Sequence, residues 1–221
     1  MRKLLNGLAE FQDRITQEER IKFANLALGQ KPDALMLCCS DSRVAPNIFA
    51  STDPGDLFVV RNVGNMVSPC DESGFSVGDV SEAAALEFAV NSLQVDDIII
   101  CGHSECGAMA AVYDGLQNVH HPNLKDWLKN GTEALEKFKS GVSLNPDLSP
   151  INQISQLNVL TQVEHIRSYP YIERKIKSGK LQVSAWWFDI AKAKVSIFSD
   201  EHGRYLEIDR DVVNYFIEKL T

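Results

Sequence analysis

Short apolar runs, separated by stretches with helical spacing, constrain the fold of this chain more than any other feature of its sequence. The runs that predict strands are 34–38, 57–60, 98–101, 181–188 and 195–198. Strands that are apolar along their whole length are typical of sheets covered on both faces. Because helical stretches alternate with these runs, the sequence predicts an α/β fold with a mostly parallel central β-sheet flanked by helices.

The segments between the runs carry apolar residues at helical spacing. The predicted helices cover 4–23, 80–93, 124–139, 151–169 and 211–220, and another begins near Cys106. Ser81 is a plausible N-cap of the second helix. The first helix belongs to an N-terminal helical arm at residues 1–30. We interpret 141–150 as a long loop, and the whole chain, 1–221, as a single domain.

Charge and composition exclude several classes of partner. The net charge is −8, whereas nucleic acids and anionic membranes require a basic surface. No apolar run approaches the roughly 18 residues of a membrane span, and the N-terminus lacks the features of a secretory signal. The five cysteines are an odd number and a poor disulfide framework. We therefore expect a cytoplasmic protein with buried or metal-binding thiols, and neither nucleic acid nor membrane as partner.

Three reactive side chains follow the first predicted strand at alternate positions, namely Cys39, Asp41 and Arg43. In extended backbone, residues two apart face the same side, so these three share a side and Cys38 faces the other. An arginine can hold a carboxylate through two hydrogen bonds and keep it ionised. Taken alone, the segment is equally well explained by a core thiol beside a surface ion pair.

A second pair of candidate ligands, His103 and Cys106, follows the third predicted strand. The carboxyl ends of parallel strands are where an open α/β sheet places its ligand site, so both motifs are expected to meet there. Together with Cys39 they offer two thiolates and one imidazole. That set favours zinc and leaves a fourth tetrahedral position open, as in a catalytic site.

Other residues of the second motif leave alternatives open. Gly102 and Gly107 give the turn conformational freedom. Cys101 could compete as a metal ligand, although it should still lie within the strand. Glu105 stands between the two ligands and could serve as a general base.

These motifs closely resemble those of the β-carbonic anhydrases. The family markers Cys-x-Asp-x-Arg and His-x-x-Cys stand here at 39–43 and 103–106, and Arg-Asn-Val-Gly-Asn at 61–65 resembles the loop after the family's second strand. The resemblance is strong over about residues 30–115. It implies a zinc enzyme that hydrates carbon dioxide reversibly to bicarbonate and a proton, by attack of zinc-bound hydroxide.

The resemblance also implies roles for individual residues. Cys39, His103 and Cys106 would bind zinc. Asp41 would accept a hydrogen bond from the zinc-bound water, and Arg43 would hold Asp41 in place. In a resting form known in the family, this aspartate takes the fourth zinc position instead.

The substrate cleft that the resemblance implies includes Gln30 and Phe58, and Val63 could add to its apolar wall. A tyrosine common in the family is Phe88 here, which removes a hydroxyl and keeps an apolar ring. A tryptophan that marks a regulatory bicarbonate site in some bacterial members is Met36 here. We therefore expect that regulation to be absent or altered.

The family builds its site at a dimer interface, and its dimers often pair into tetramers. We therefore expect a homodimer or homotetramer, with the apolar face of the first helix packed on a neighbouring subunit. The same ligands would also serve a hydrolase of carbonyl sulfide or carbon disulfide. A non-catalytic zinc-dependent interaction protein is a further alternative, although such a site needs no pairing of Asp41 with Arg43.

Overall fold

A single sheet runs through the computed structural model of the protein, which describes residues 1–219. Within these residues its strands are β1 Ala34–Cys39, β2 Leu57–Asn62, β3 Asp97–His103, β4 Gln182–Asp189, β5 Lys194–Ser199 and β6 Arg204–Glu207. Their order across the sheet is β2-β1-β3-β4-β5-β6. Strands β1 to β4 pair in parallel, whereas β5 and β6 pair antiparallel. The predicted α/β fold with a mostly parallel sheet is confirmed.

Helices fill the segments between the strands. They are α1 Arg2–Arg14, α2 Gln17–Leu26, α3 Pro46–Phe49, α4 Val80–Glu87, α5 Gly107–Asp114, α6 Pro122–Trp127, α7 Thr132–Lys139, α8 Pro150–Arg167, α9 Pro170–Lys177 and α10 Arg210–Glu218. Helix α4 continues as a π-helix, Phe88–Leu93. No helix among residues 1–219 combines the length and the apolar character needed to cross a bilayer.

Two of the predicted helices are each divided into shorter elements. The predicted helix 4–23 is wrong as a single element, because Thr16 starts a new helix. Its hydroxyl accepts a hydrogen bond from the amide of Glu19 at 3.1 Å, and the Glu19 carboxylate accepts one from the amide of Thr16 at 2.7 Å. This capping box outweighs the continuous apolar spacing. The predicted helix 124–139 is likewise divided, by a 3₁₀ turn at Leu128–Gly131.

Other boundaries differ for equally local reasons. Asp79, and not Ser81, caps α4, because its carboxylate accepts a hydrogen bond from the amide of Ser81 at 2.7 Å. Pro170 begins the unpredicted helix α9, since proline suits the first turn of a helix. Strand β6 was not predicted, since its four residues begin and end with charged side chains. The predicted helix 211–220 extends to a residue outside the described part of the chain.

The chain forms two compact units, Met1–Lys31 and Pro32–Thr221. In the first unit the rings of Phe11 and Phe23 meet edge to face, with centroids 6.4 Å apart. The apolar face of α1 is exposed at Leu4, Leu5 and Leu8. The interpretation of residues 1–221 as a single domain with an arm at 1–30 stays a prediction.

Alternate residues of β1 and β3 pack on opposite faces of the sheet. Leu35, Leu37 and Ile100 belong to a cluster that includes residues of α8, while Cys38 and Cys101 belong to a separate cluster on the other face. Both strands are therefore buried on both sides. Their carboxyl ends lie side by side where the strand order reverses direction, which is the usual ligand position in such a sheet.

Candidate functional site

Cys39, His103 and Cys106 come together at the carboxyl ends of β1 and β3. Cys39 is the last residue of β1, His103 is the last residue of β3, and Cys106 immediately precedes α5. One ligand atom from each residue lies within 4.8 Å of the other two, and all three residues are buried. The two sequence motifs thus form one cluster with the spacing of a metal site.

A hydrogen bond orients the imidazole of His103 through one ring nitrogen and leaves the other nitrogen without a partner among the described residues. Its Nδ1 lies 2.8 Å from the carbonyl oxygen of Ser104, which can only accept, so Nδ1 carries the proton. Its Nε2 is buried and has no hydrogen-bond partner among residues 1–219. Leaving such an atom unpaired costs about 1–3 kcal/mol, a cost that a bound cation would remove.

The two sulfur atoms are electrostatically linked. A hydrogen bond from the Cys106 thiol lowers the pKa of Cys39 against the opposing effect of burial, and the same bond raises the pKa of Cys106. The backbone amide of Gly64 also donates to the Cys39 sulfur at 3.3 Å. In the metal-free protein the thiols thus share a proton that a dication would displace. Two sulfurs and one imidazole nitrogen are a donor set that suits zinc.

Gly64 allows the close approach of that amide. Its φ is +85°, and a Cβ there would lie 2.7 Å from the side chain of Met66 and 2.9 Å from that of Ala108. Any other residue would clash with both neighbours. The loop that resembles the family's 61–65 segment therefore contributes directly to the sulfur environment.

Arg43 holds Asp41 through two parallel hydrogen bonds. Arg43 Nε donates to Asp41 Oδ1 at 2.9 Å, and Nη2 donates to Oδ2 at 2.7 Å. These bonds hold the pKa of Asp41 well below its usual range. Asp41 Oδ2 also lies 4.0 Å from His103 Nε2. The structure thus places the arginine-bound carboxylate beside the three ligand residues.

The predicted reason for this pairing was wrong. Strand β1 ends at Cys39, so Asp41 and Arg43 do not share a side of an extended strand. Instead the chain turns, and the amide of Arg43 donates to Asp41 Oδ1 at 2.9 Å. A local side-chain to backbone bond of this kind is typical of aspartate in turns.

Arg61 is a site residue that the sequence analysis missed. Its guanidinium donates to the carbonyl oxygens of Cys39 at 2.9 and 3.1 Å, and to those of Asp41 and Val44 at 2.8 Å each. One side chain thereby fixes the backbone on both sides of Asp41. The available signal was a charged residue directly after the apolar run 57–60.

The structure separates Cys101 from the ligand cluster and gives the two glycines of the second motif different surroundings. Cys101 packs beside Cys38, on the face away from the ligand cluster. Gly102 is needed for space, because a Cβ there would lie 2.5 Å from Val159 of α8. Gly107 has no special conformation, and the left-handed residue of the turn is Glu105, with φ +53°.

Two of the predicted cleft residues, Phe58 and Phe88, lie far from the three ligand residues along the direction of the strands. Phe58 and Phe88 contact each other, with ring centroids 5.9 Å apart. In the pairing of β1 with β2, Phe58 lies opposite Leu35, whereas Asn62, four residues later, lies opposite Cys39. That offset corresponds to about 13 Å along a strand, so this pair is remote from the ligands of its own chain.

Val63 and Gln30 complete the set of predicted cleft residues. The Val63 side chain is exposed, and its carbonyl oxygen accepts a hydrogen bond from Trp127 Nε1 at 2.7 Å. Gln30 lies in the N-terminal unit, where it is exposed. Their predicted contact with substrate stays a prediction.

Comparison with known sequences points to one family. A family model described as carbonic anhydrase matches residues 34–195. The carbonic anhydrase of Pseudomonas aeruginosa is 31% identical over 208 residues, which cover 94% of this chain and 92% of the relative. The carbonic anhydrase of Synechocystis sp. is 35% identical over 198 residues, which cover 88% of this chain and 70% of the relative.

Comparison with solved structures agrees with the sequences. The β-carbonic anhydrase CcaA superposes with a TM-score of 0.85 at 32% identity, covering 95% of this chain and 92% of that chain. One of two tetrameric β-carbonic anhydrases from Sordaria macrospora superposes with a TM-score of 0.77 at 26% identity, covering 94% of this chain and 98% of that chain.

Proposed function

This chain belongs to the β-carbonic anhydrase family, and from that premise we propose that it hydrates carbon dioxide reversibly at a zinc ion held by Cys39, His103 and Cys106. The observation that carries the proposal is the buried cluster of two sulfurs and one nitrogen within 4.8 Å. Since three protein ligands leave one tetrahedral position open, the cluster suits a catalytic ion. When bound, zinc would supply a Lewis acid that lowers the pKa of a water molecule from about 15.7 towards neutrality.

Asp41 would orient the attacking oxygen. Its carboxylate stays ionised because Arg43 lowers its pKa, so it can accept a hydrogen bond but cannot donate one. Each of its oxygens already accepts a hydrogen bond from Arg43, yet a carboxylate oxygen can accept a second. Asp41 Oδ2, which lies 4.0 Å from His103 Nε2, is therefore the proposed acceptor. The Arg43 bonds favour this role over direct ligation of the metal in a resting form.

The remaining cleft residues require a second copy of the chain. We propose that the protein is a homodimer or homotetramer, in which Gln30, Phe58, Phe88 and Val63 line the cleft that admits carbon dioxide. The offset of about 13 Å between Phe58 and its own ligands supports a cleft shared between copies. The exposed apolar face of α1 supplies further surface for association. The tetrameric assembly of the Sordaria macrospora relatives is consistent with this proposal.

Stopped-flow hydration of carbon dioxide, with zinc analysis of the same sample, tests the proposed reaction. We expect one zinc per chain, loss of activity with a chelator and recovery when zinc is returned. His103→Ala should remove both zinc and activity, whereas His120→Ala, at an exposed histidine, should remove neither. Activity should rise with pH from mildly acidic to alkaline values, because the nucleophile must first lose a proton. A flat profile would contradict the mechanism, and faster turnover of carbonyl sulfide would reassign the substrate.

We also propose a cytoplasmic location. All five cysteines lie within the described residues and are free thiols, which suits a reducing compartment. Cell fractionation followed by immunoblotting would test this proposal, and recovery in an exported fraction would contradict it.

A further inference from the structure

The turn between His103 and Cys106 depends on a residue in an unfavourable conformation. Glu105 has φ +53°, in the left-handed region that residues with a side chain rarely adopt. The turn determines the spacing between His103, the last residue of β3, and Cys106. Some other contact must therefore hold Glu105 in this conformation.

Asn152 supplies that contact from the first turn of α8. Its Oδ1 accepts a hydrogen bond from the Glu105 amide at 2.7 Å, and its Nδ2 donates to the Glu105 carboxylate at 2.9 Å. Only 9% of Asn152 is exposed. Both ends of one amide thus bind the same residue, and this arrangement fixes the backbone and the side chain of Glu105 together.

The same turn is linked to the proposed catalytic carboxylate. The carbonyl oxygen of Glu105 accepts a hydrogen bond from Arg43 Nη2 at 3.1 Å, and that nitrogen also donates to Asp41 Oδ2 at 2.7 Å. A continuous series of hydrogen bonds therefore runs from Asn152 through Glu105 and Arg43 to Asp41. Helix α8 also binds the other end of the turn, because Ser155 Oγ donates to the His103 carbonyl oxygen at 2.7 Å.

We propose that Asn152 is a positioning residue, which holds the Glu105 turn and thereby sets both the spacing of His103 and Cys106 and the direction of Arg43. The proposal rests on the proposed function of the site as a zinc-dependent carbonic anhydrase. Asn152 itself touches neither the ligands nor Asp41. Its effect is exerted through Glu105.

Exchange of the polar groups between Asn152 and Glu105 tests this role. Asn152→Asp places a carboxylate against the Glu105 carboxylate and should reduce kcat/KM by about tenfold or more, within the range observed for outer partners of a metal site. Adding Glu105→Gln restores a donor opposite the new carboxylate, so the double variant should recover most of the loss. Glu105→Gln alone keeps the acceptor for Asn152 Nδ2 and should release zinc to a chelator at the wild-type rate.

Two further measurements separate positioning from folding and from the reaction itself. Gln153→Ala, at the next residue of α8, removes hydrogen bonds to Ser143 and Leu148 and should leave kcat/KM unchanged. The rate of zinc loss to a chelator and the absorption spectrum of the cobalt-substituted protein report on ligand geometry without any turnover. Both should change in Asn152→Asp and return in the double variant, even if the wild type proves inactive towards carbon dioxide.

The outcomes are decisive in either direction. Failure of the double variant to improve on Asn152→Asp, in metal release and in the cobalt spectrum, would overturn the proposal. If Asn152→Asp fails to fold, Asn152→Ala replaces it, and metal release equal to that of wild type would overturn the proposal equally. If the wild type does not hydrate carbon dioxide but the variants show the expected pattern of metal release, the proposed function is contradicted and the role of Asn152 is not.

Discussion

Two pairs of cysteines lie within a few residues of each other at the ends of β1 and β3, yet their surroundings differ. Burial raises the pKa of Cys38 to about 11 and also raises that of Cys101, which lies level with it. Cys39 is buried as well, but its pKa is lowered by the hydrogen bond from Cys106. The mutual contact of the two sulfurs, and not the degree of burial, therefore distinguishes the ligand pair from the pair Cys38 and Cys101.

The largest expected effect comes from replacing Cys39, and the adjacent Cys38 provides the comparison. Cys39→Ser should lose zinc and reduce carbon dioxide hydration by more than about 100-fold, beyond the effect of outer partners alone. Cys38→Ser should keep both zinc and activity, because its side chain faces the other cluster. Zinc analysis and stopped-flow kinetics check the pair. Equal zinc loss in both variants would remove the distinction between the two faces.

The next effect tests whether the thiol pair suffices without the carboxylate beside it. Asp41→Ala should retain zinc and reduce kcat by about 10²- to 10³-fold, since it removes the hydrogen-bond acceptor that orients the nucleophile. Asp126→Ala, which removes an exposed carboxylate paired with Lys129, is the matched control. Loss of zinc from the Asp41 variant would instead identify Asp41 mainly as a ligand.

A smaller effect should follow from replacing the buried thiol of Cys101 with a hydroxyl. Cys101→Ser buries a hydroxyl among apolar groups and should cost about 1–3 kcal/mol. For a chain of this size, each kcal/mol lowers Tm by about 2–4 °C. Thermal unfolding monitored by circular dichroism measures the loss, and zinc content should not change. An unchanged Tm would mean that the hydroxyl finds a partner on this face.

The smallest effect is the pH response of thiol alkylation in the metal-free protein. Cys39 should react at a rate that changes little between pH 6 and 8, because the hydrogen bond from Cys106 lowers its pKa. Cys38 should stay unlabelled over this range, because a pKa of about 11 keeps it protonated. Mass spectrometry of digested samples measures both sites. A tenfold rise per pH unit at Cys39 would show an ordinary thiol.

The sequence predicted those features that depend on local pattern. Apolar runs predicted the strands, and His103 and Cys106 together with Cys39 predicted a metal site. Arg61 and Asn152 could not be predicted in this way, because their partners in the site lie 17 or more residues away in the chain. The reason for Gly102 was also hidden, since it depends on Val159 of α8. Contacts between residues that are distant in the chain produce no periodic pattern in the local sequence.

The loop between α7 and α8 has a practical consequence for engineering this protein. Residues 141–149 form neither helix nor strand, and most of their side chains are exposed. Doubling the length of such a loop costs only about 0.6 kcal/mol. A peptide tag inserted after Asn145 would thus leave the register of α8 unchanged, and immobilised protein attached through that tag should keep its full turnover.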